Sequence, residues 1–113
     1  MRFSKAVDIA VLKTVEDCDA ALAQPLVILF KHSLSCPVSE IAKEAVSSYQ
    51  EAELGAPVFM LHVQRRDLAQ YVATATGVTH ASPQIIVIRN GDFVGTLSHY
   101  GITSNAIAAL VKA

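Results

Sequence analysis

Cys36 lies in the segment Phe30-Lys31-His32-Ser33-Leu34-Ser35-Cys36-Pro37-Val38-Ser39-Glu40. The apolar run Leu26 to Phe30 leads up to it, and a helix-like segment, Val38 to Tyr49, leads away. A cysteine at the N-cap of a helix meets unpaired amide N–H groups and the positive end of the helix dipole, and both favour a thiolate. In that position the sulfur faces the N–H groups of Val38 and Ser39. Its pKa should fall below the roughly 8.5 of a free cysteine. More thiolate at neutral pH means faster thiol–disulfide exchange, until lower basicity blunts the attack. Position 39, where a Cys-x-x-Cys protein carries its second cysteine, holds serine. The chemistry indicated is redox exchange at one sulfur. Lys31 and His32 are close enough in sequence to add positive potential, although strand alternation sends them to opposite sides. The competing reading is a buried structural thiol. Ser-Leu-Ser before Cys36 and Pro37 after it argue against a mid-helix position.

A second stretch of interest is Thr79-His80-Ala81-Ser82-Pro83-Gln84, directly before the apolar run Ile85 to Ile88. A proline at the start of a strand often sits in a tight turn, and such a bond can be cis. A cis Ser82-Pro83 bond would expose the backbone of Ser82 beside the sulfur, where a substrate could pair with it as an added strand. An ordinary trans proline opening a strand fits the spacing equally well.

The remaining elements must position these residues. Val7 to Leu12 reads as a short strand. Thr14 can cap a helix from Val15 to about Ala23, with Glu16, Asp17 and Asp19 in its first turns, where the dipole favours acids. Gln24-Pro25 ends that helix. Leu26 to Phe30 is uniformly apolar and short, as a strand covered on both faces should be. Pro37 suits a first helical position. Val38, Ile41, Ala42, Ala45, Val46 and Tyr49 then form the apolar stripe, and Ser39, Glu40, Lys43, Glu44 and Ser47 the solvent side. Gly55-Ala56-Pro57 is a break, Val58 to Val63 a strand, and Arg66 to Thr76 a helix closed by Gly77. Asn90-Gly91 predicts a hairpin joining Ile85–Ile88 to Phe93–Leu97. Thr103 or Ser104 caps a last helix through Val111. The β-α-β portion calls for parallel strands with right-handed crossovers, and the closing hairpin adds an antiparallel edge. The expected class is α/β, with a mixed sheet of four or five strands and helices on both faces.

With 113 residues, 52% of them hydrophobic and 17% charged, the chain has the composition of one globular domain spanning residues 1–113. Nine basic residues scattered against ten acidic ones give a net charge of −1, and Arg65-Arg66 is too short a cluster to suggest nucleic acid. No apolar stretch reaches the roughly 20 residues of a membrane span. Asp8, Lys13, Glu16 and Asp17 interrupt any signal-peptide core, so no export signal is expected. Two cysteines in different settings suit a reducing cytoplasm rather than a disulfide framework. No Cys/His cluster has zinc-ligand spacing, so no metal is expected.

Taken together, a redox cysteine after one central strand, a proline before a later one and a β-α-β then β-β-α ending are similar to the thioredoxin fold. The chain more closely resembles the monothiol bacilliredoxins. The resemblance is carried by Phe30-Lys31-His32-Ser33, Ser35-Cys36-Pro37-Val38-Ser39, Gly77-Val78, His80-Ala81-Ser82-Pro83-Gln84, Asn90-Gly91 and Ser98-His99-Tyr100-Gly101-Ile102-Thr103, and it runs from about Leu12 to Val111. Ala81 is a departure, since members tend to carry Glu there. The resemblance implies removal of bacillithiol from proteins that carry it as a mixed disulfide. Cys36 would be the nucleophile, Pro37, Val38 and Ser39 the thiolate-stabilising turn, and Ser82 and Pro83 the substrate-binding backbone. S-bacillithiolated proteins would be the partners and bacillithiol the co-substrate thiol. In this fold the corner at His99 comes near the cysteine, so His99 is a candidate for ligand contact.

The alternative is a thioredoxin-like binding or redox-sensing module without turnover. A monothiol glutaredoxin holding an iron–sulfur cluster would carry Cys-Gly-Phe-Ser, and Pro37 removes both that glycine and a backbone N–H. Cys18, flanked by acids inside the first helix, reads as a packing residue. No spacing argues for it as a resolving thiol, and the acids would raise its pKa. His32 and His80 are lesser site candidates, and His62 reads as structural. Tyr49, Phe59, Tyr71 and Phe93 read as core or core-edge packing.

Overall fold

The computed structural model describes residues 9–51 and 56–113. Val7 and Asp8 of the expected first strand, and Gly55 of the expected break, lie outside them. The elements run β1 (Ala10–Val11), α1 (Val15–Leu22), β2 (Leu26–His32), α2 (Pro37–Glu51), β3 (Val58–His62), α3 (Arg66–Thr76), β4 (Gln84–Arg89) and β5 (Asp92–Ser98). A 3₁₀ turn at His99–Gly101 and α4 (Ser104–Lys112) complete the chain.

The local chemistry of the ends matches the sequence closely. Thr14 accepts the N–H of Asp17, and the Asp17 carboxylate accepts the N–H of Thr14, closing a capping box on α1. Thr103 caps α4 through the N–H of Ala106. Gly77 ends α3 at φ +72°, a left-handed conformation that costs glycine little, and its N–H reaches the carbonyl of Ala73. Asn90 and Gly91 both have positive φ, as a two-residue hairpin turn requires, and Arg89 faces Asp92 across it.

The five strands form one mixed sheet in the order β1-β3-β2-β4-β5. β1 and β2 both lie parallel to β3, so β1-α1-β2-α2-β3 obeys the expected crossover logic. The unit β3-α3-β4 departs from it, because β4 runs antiparallel to β2. After α3, segment 77–83 brings the chain back to the end of the sheet that β3 has just left. β4 therefore enters beside the C-terminal end of β2, with Gln84 opposite Lys31.

β2 is the spine, and its alternation divides the core. Ile28 and Phe30 face α2 and α4, joining Ala42, Val46, Tyr49, Ile107 and Val111. Val27 and Leu29 face α1 and α3, joining Cys18, Ala21, Leu68, Ala69 and Val72. Each Val, Leu, Ile or Phe side chain among them, when fully buried, contributes on the order of 1.5–3 kcal/mol of transfer free energy.

Three expected positions are corrected. The buried stripe of α2 is Ser39, Ala42, Val46 and Tyr49, so Ser39 is inside and Ile41 is 55% exposed. The stripe is rotated because Ser39 can satisfy its hydroxyl internally. Phe93, expected in the core edge, is half exposed on the outer strand β5.

Replacing Thr14 by Ala removes one half of the capping box. It is expected to lower the unfolding free energy by about 0.5–2 kcal/mol, read as a shift in the urea midpoint at constant m-value.

Candidate active site

The C-terminal ends of β2 and β3 and the start of β4 converge at one end of the sheet. Cys36 stands there, directly before the first residue of α2, and its carbonyl accepts the N–H of Glu40 at 3.3 Å. That bond gives it the N-cap position. The side chain is partly exposed. The backbone N–H of Ser39, then that of Val38, and more weakly the Ser39 hydroxyl favour a thiolate on Sγ. These donors push the thiol pKa below its ordinary value, against a smaller opposing effect of desolvation. Pro37 opens the helix without an N–H to place there.

Ser39 has a second task. Its fully buried hydroxyl accepts the N–H of Ser33 at 3.1 Å while its proton is free to point at Cys36. Gln64, just beyond β3, ties down the rest of the loop. Its Nε2 donates to Ser33 Oγ at 3.3 Å, and its Oε1 accepts the N–H of Leu34 at 3.4 Å. The turn that presents the sulfur is thus held from α2 and from β3.

Lys31 and His32 continue β2 past its apolar run, and both are buried. Neither contributes to the lowered pKa of Cys36. His32 points toward α2, where its Nε2 lies 3.3 Å from the exposed Glu40 carboxylate. Burial lowers its pKa, and Glu40 only partly opposes this. Lys31 points to the other face and donates from Nζ to His80 Nδ1 at 3.1 Å. Burial pushes the Lys31 ammonium down to about 8.

The Ser82–Pro83 peptide bond is cis. The loop before it is pinned by Gln84, whose amide donates to Thr79 O at 3.0 Å and accepts the N–H of Ala81 at 3.3 Å. The Ser82 hydroxyl is buried with no partner among the described residues. The Pro83 carbonyl accepts the N–H of His99 at 3.1 Å, and His99 takes φ +53° there. The backbone of His99 therefore joins the proline loop, while its side chain is exposed and does not contribute to the lowered pKa of Cys36.

Cys18 is fully buried beneath α1, on the face of the sheet away from α2. Burial raises its pKa, and Asp17 and Asp19 add to the rise. Both cysteines are free thiols. Among the described residues no group of three or more His, Cys, Asp or Glu side chains could hold a metal ion. No helix among them is long and apolar enough to cross a membrane.

Sequence reasoning singled out Cys36, Val38 and Ser39 but missed Gln64, which carried no local signal. It noted Lys31 and His80 separately, and only the fold brings them together.

A model of the family described as Monothiol bacilliredoxin BrxC matches residues 8–107. Among solved structures, the chain is similar to a candidate oxidoreductase with a thioredoxin fold, with a TM-score of 0.84 and 28% identity over 90% of this chain and 92% of that one. A thioredoxin from Malassezia sympodialis superposes with a TM-score of 0.76 at 15% identity, over 99% of this chain and 96% of that one. A mutant thioredoxin from Halobacterium salinarum gives 0.73 at 18% identity, over 98% and 94% respectively. The last two likenesses concern the fold.

Two measurements check the electrostatics. Ser39→Ala should raise the pKa of Cys36, read from the pH dependence of alkylation by iodoacetamide. It should also destabilise the fold by about 1–3 kcal/mol, because the Ser33 N–H loses its acceptor. A lowered folded-state pKa means that the thiolate stabilises the fold above the free-cysteine pKa, and that this contribution is lost as pH falls through the folded value. The stability of the native chain relative to Cys36→Ser should therefore increase with pH across that interval.

Proposed function

The chain belongs to the monothiol bacilliredoxin family, and on that premise we propose that it removes bacillithiol from protein mixed disulfides, with Cys36 as the only reacting thiol. Family and fold together make it a thiol redox protein of the thioredoxin-like oxidoreductase type. The observation that carries the finer reading is the partly exposed Cys36 sulfur, held by the amides of Ser39 and Val38.

The Cys36 thiolate attacks the bacillithiol sulfur of the mixed disulfide. A new disulfide forms between Cys36 and bacillithiol, the old one breaks, and the electron pair leaves on the substrate protein's sulfur, which is released as a thiol. A second bacillithiol thiolate then attacks the bacillithiol sulfur on Cys36. Oxidised bacillithiol leaves, and Cys36 departs as a thiolate. The amides of α2 stabilise the charge on Cys36 before the first step and after the second. A lower pKa makes it a better leaving group in the second step. Ser39 in place of a second cysteine is compatible with this cycle, because an outside thiol resolves the adduct.

Ser82 and Pro83 are the proposed substrate-binding backbone, with His99 as a positioning residue beside them. The support is that β4 enters beside the C-terminal end of β2, which puts the Ser82–Pro83 loop at the same end of the sheet as the Cys36 turn, with the Pro83 carbonyl held by the His99 N–H. A protein substrate is favoured by three large exposed apolar side chains: Leu34 is 63% exposed, Ile41 55% and Tyr100 73%. They sit on the loop before Cys36, on α2, and on the 3₁₀ turn packed against α2.

The test mixes an S-bacillithiolated protein with the native chain and with Cys36→Ser and follows both partners by intact mass spectrometry. The native chain should release the substrate thiol and gain one bacillithiol on Cys36, and Cys36→Ser should remain folded and do neither. Failure of the native chain to release bacillithiol would reject the substrate assignment.

A further inference from the structure

A cleft of about 610 Å³ opens between the first turns of α3 and the proline loop, lined by Val63, Gln64, Arg66, Ala69, Gln70 and His80. Its size is typical of small-molecule sites, which run from about 300 to 1,000 Å³. No acidic side chain lines it. The nearby Asp67 is already paired with Arg65, at 3.0 Å. The cleft adjoins the turn before Cys36 through one residue, because Gln64 lines it and also holds Ser33 and Leu34.

Below the cleft lies an unusual charge. Lys31 has no exposed surface, and its hydrogen-bond partner is an imidazole rather than a carboxylate. A buried ammonium is costly unless an anion compensates it. Its depressed pKa of about 8 still leaves it mostly protonated at neutral pH. With Lys31 as an ammonium donating to His80 Nδ1, the proton of neutral His80 sits on Nε2. His80 is exposed and forms part of the cleft wall. The exposed Arg66 supplies the positive group of the same wall.

We propose that this cleft is the subsite for a carboxylate of the small thiol that Cys36 exchanges, received by Arg66 and by His80 with Lys31 behind it. The proposal rests on the exchange reading of Cys36 and adds to it a basis for choosing among small thiols. A thiol bearing carboxylates, such as bacillithiol or glutathione, gains a contact there. An uncharged or cationic one does not. Lys31 is a positioning residue, acting on the ligand through His80.

Stopped exchange followed by intact mass gives the rate of adduct formation on Cys36 from oxidised bacillithiol, oxidised glutathione, bis(2-hydroxyethyl) disulfide and cystamine. The informative quantity is each rate relative to that of the uncharged hydroxyethyl disulfide. Arg66→Gln and His80→Gln should each lower the ratio for a carboxylate-bearing disulfide roughly tenfold, as loss of one charge-assisted hydrogen bond would. The ratio for cystamine should not fall. Comparing bacillithiol with glutathione shows which of the two the cleft suits. Arg66 is exposed, so its variant tests the subsite even if replacing the buried Lys31 disturbs folding. A second readout is an NMR titration of Cys36→Ser with S-methyl bacillithiol, which cannot react. It should move the His80 ring and the first amides of α3. Ratios unchanged in both variants, or a titration that leaves those resonances still, would overturn the subsite. Absence of reaction with every disulfide would instead overturn the exchange reading, and the titration would still decide the subsite.

Discussion

The amide hydrogens at the start of α2 are what the site depends on. They lack partners within the helix, and the chain aims two of them at Cys36. Helix formation and activation of the sulfur are therefore one event. The helix needs an acceptor at its cap, and a thiolate is a better acceptor than a thiol. Ser39 strengthens the arrangement by joining the cap to the preceding turn through Ser33. No positive side chain takes part, so the sulfur is activated by backbone dipoles that cannot lose their charge as pH changes.

β2 carries the rest of the organisation. Its apolar residues separate two cores, and its last two residues turn the same alternation to polar use. His32 goes to the α2 side and meets Glu40, while Lys31 goes to the α3 side and meets His80. One strand end thus links the helix that holds the sulfur to the loop that carries Ser82 and Pro83. Gln64 supplies a further link from β3 to the turn before Cys36. Rigid elements on three sides fix the loop that leads to the sulfur.

Much of this was legible in the sequence because it is local. Thr14, Gly77, Asn90-Gly91 and Thr103 act on neighbours a few residues away, and their elements lie where those residues imply. The position of Cys36 followed from Pro37 in the same way. The direction of β4 did not follow, since a strand-helix-strand pattern reads as parallel unless the segment after the helix reverses the chain. β2 runs two residues beyond its apolar stretch because Lys31 and His32 find partners on the flanking elements. Ser39 and Ile41 were exchanged for a related reason. Hydrophobicity alone places isoleucine inside, whereas a serine whose hydroxyl is satisfied packs just as well. The pairing of Lys31 with His80 spans 49 residues, and no periodicity reports a contact of that range.

Cys18 is sealed under α1, across the sheet from the end of β2. With Cys36 as the exchanging sulfur, an adduct on it has no route to internal closure into a ring. Its lifetime is then set by bimolecular encounter, and it shortens in proportion to the free thiol around it. On that reading the adducted fraction would follow the surrounding thiol pool.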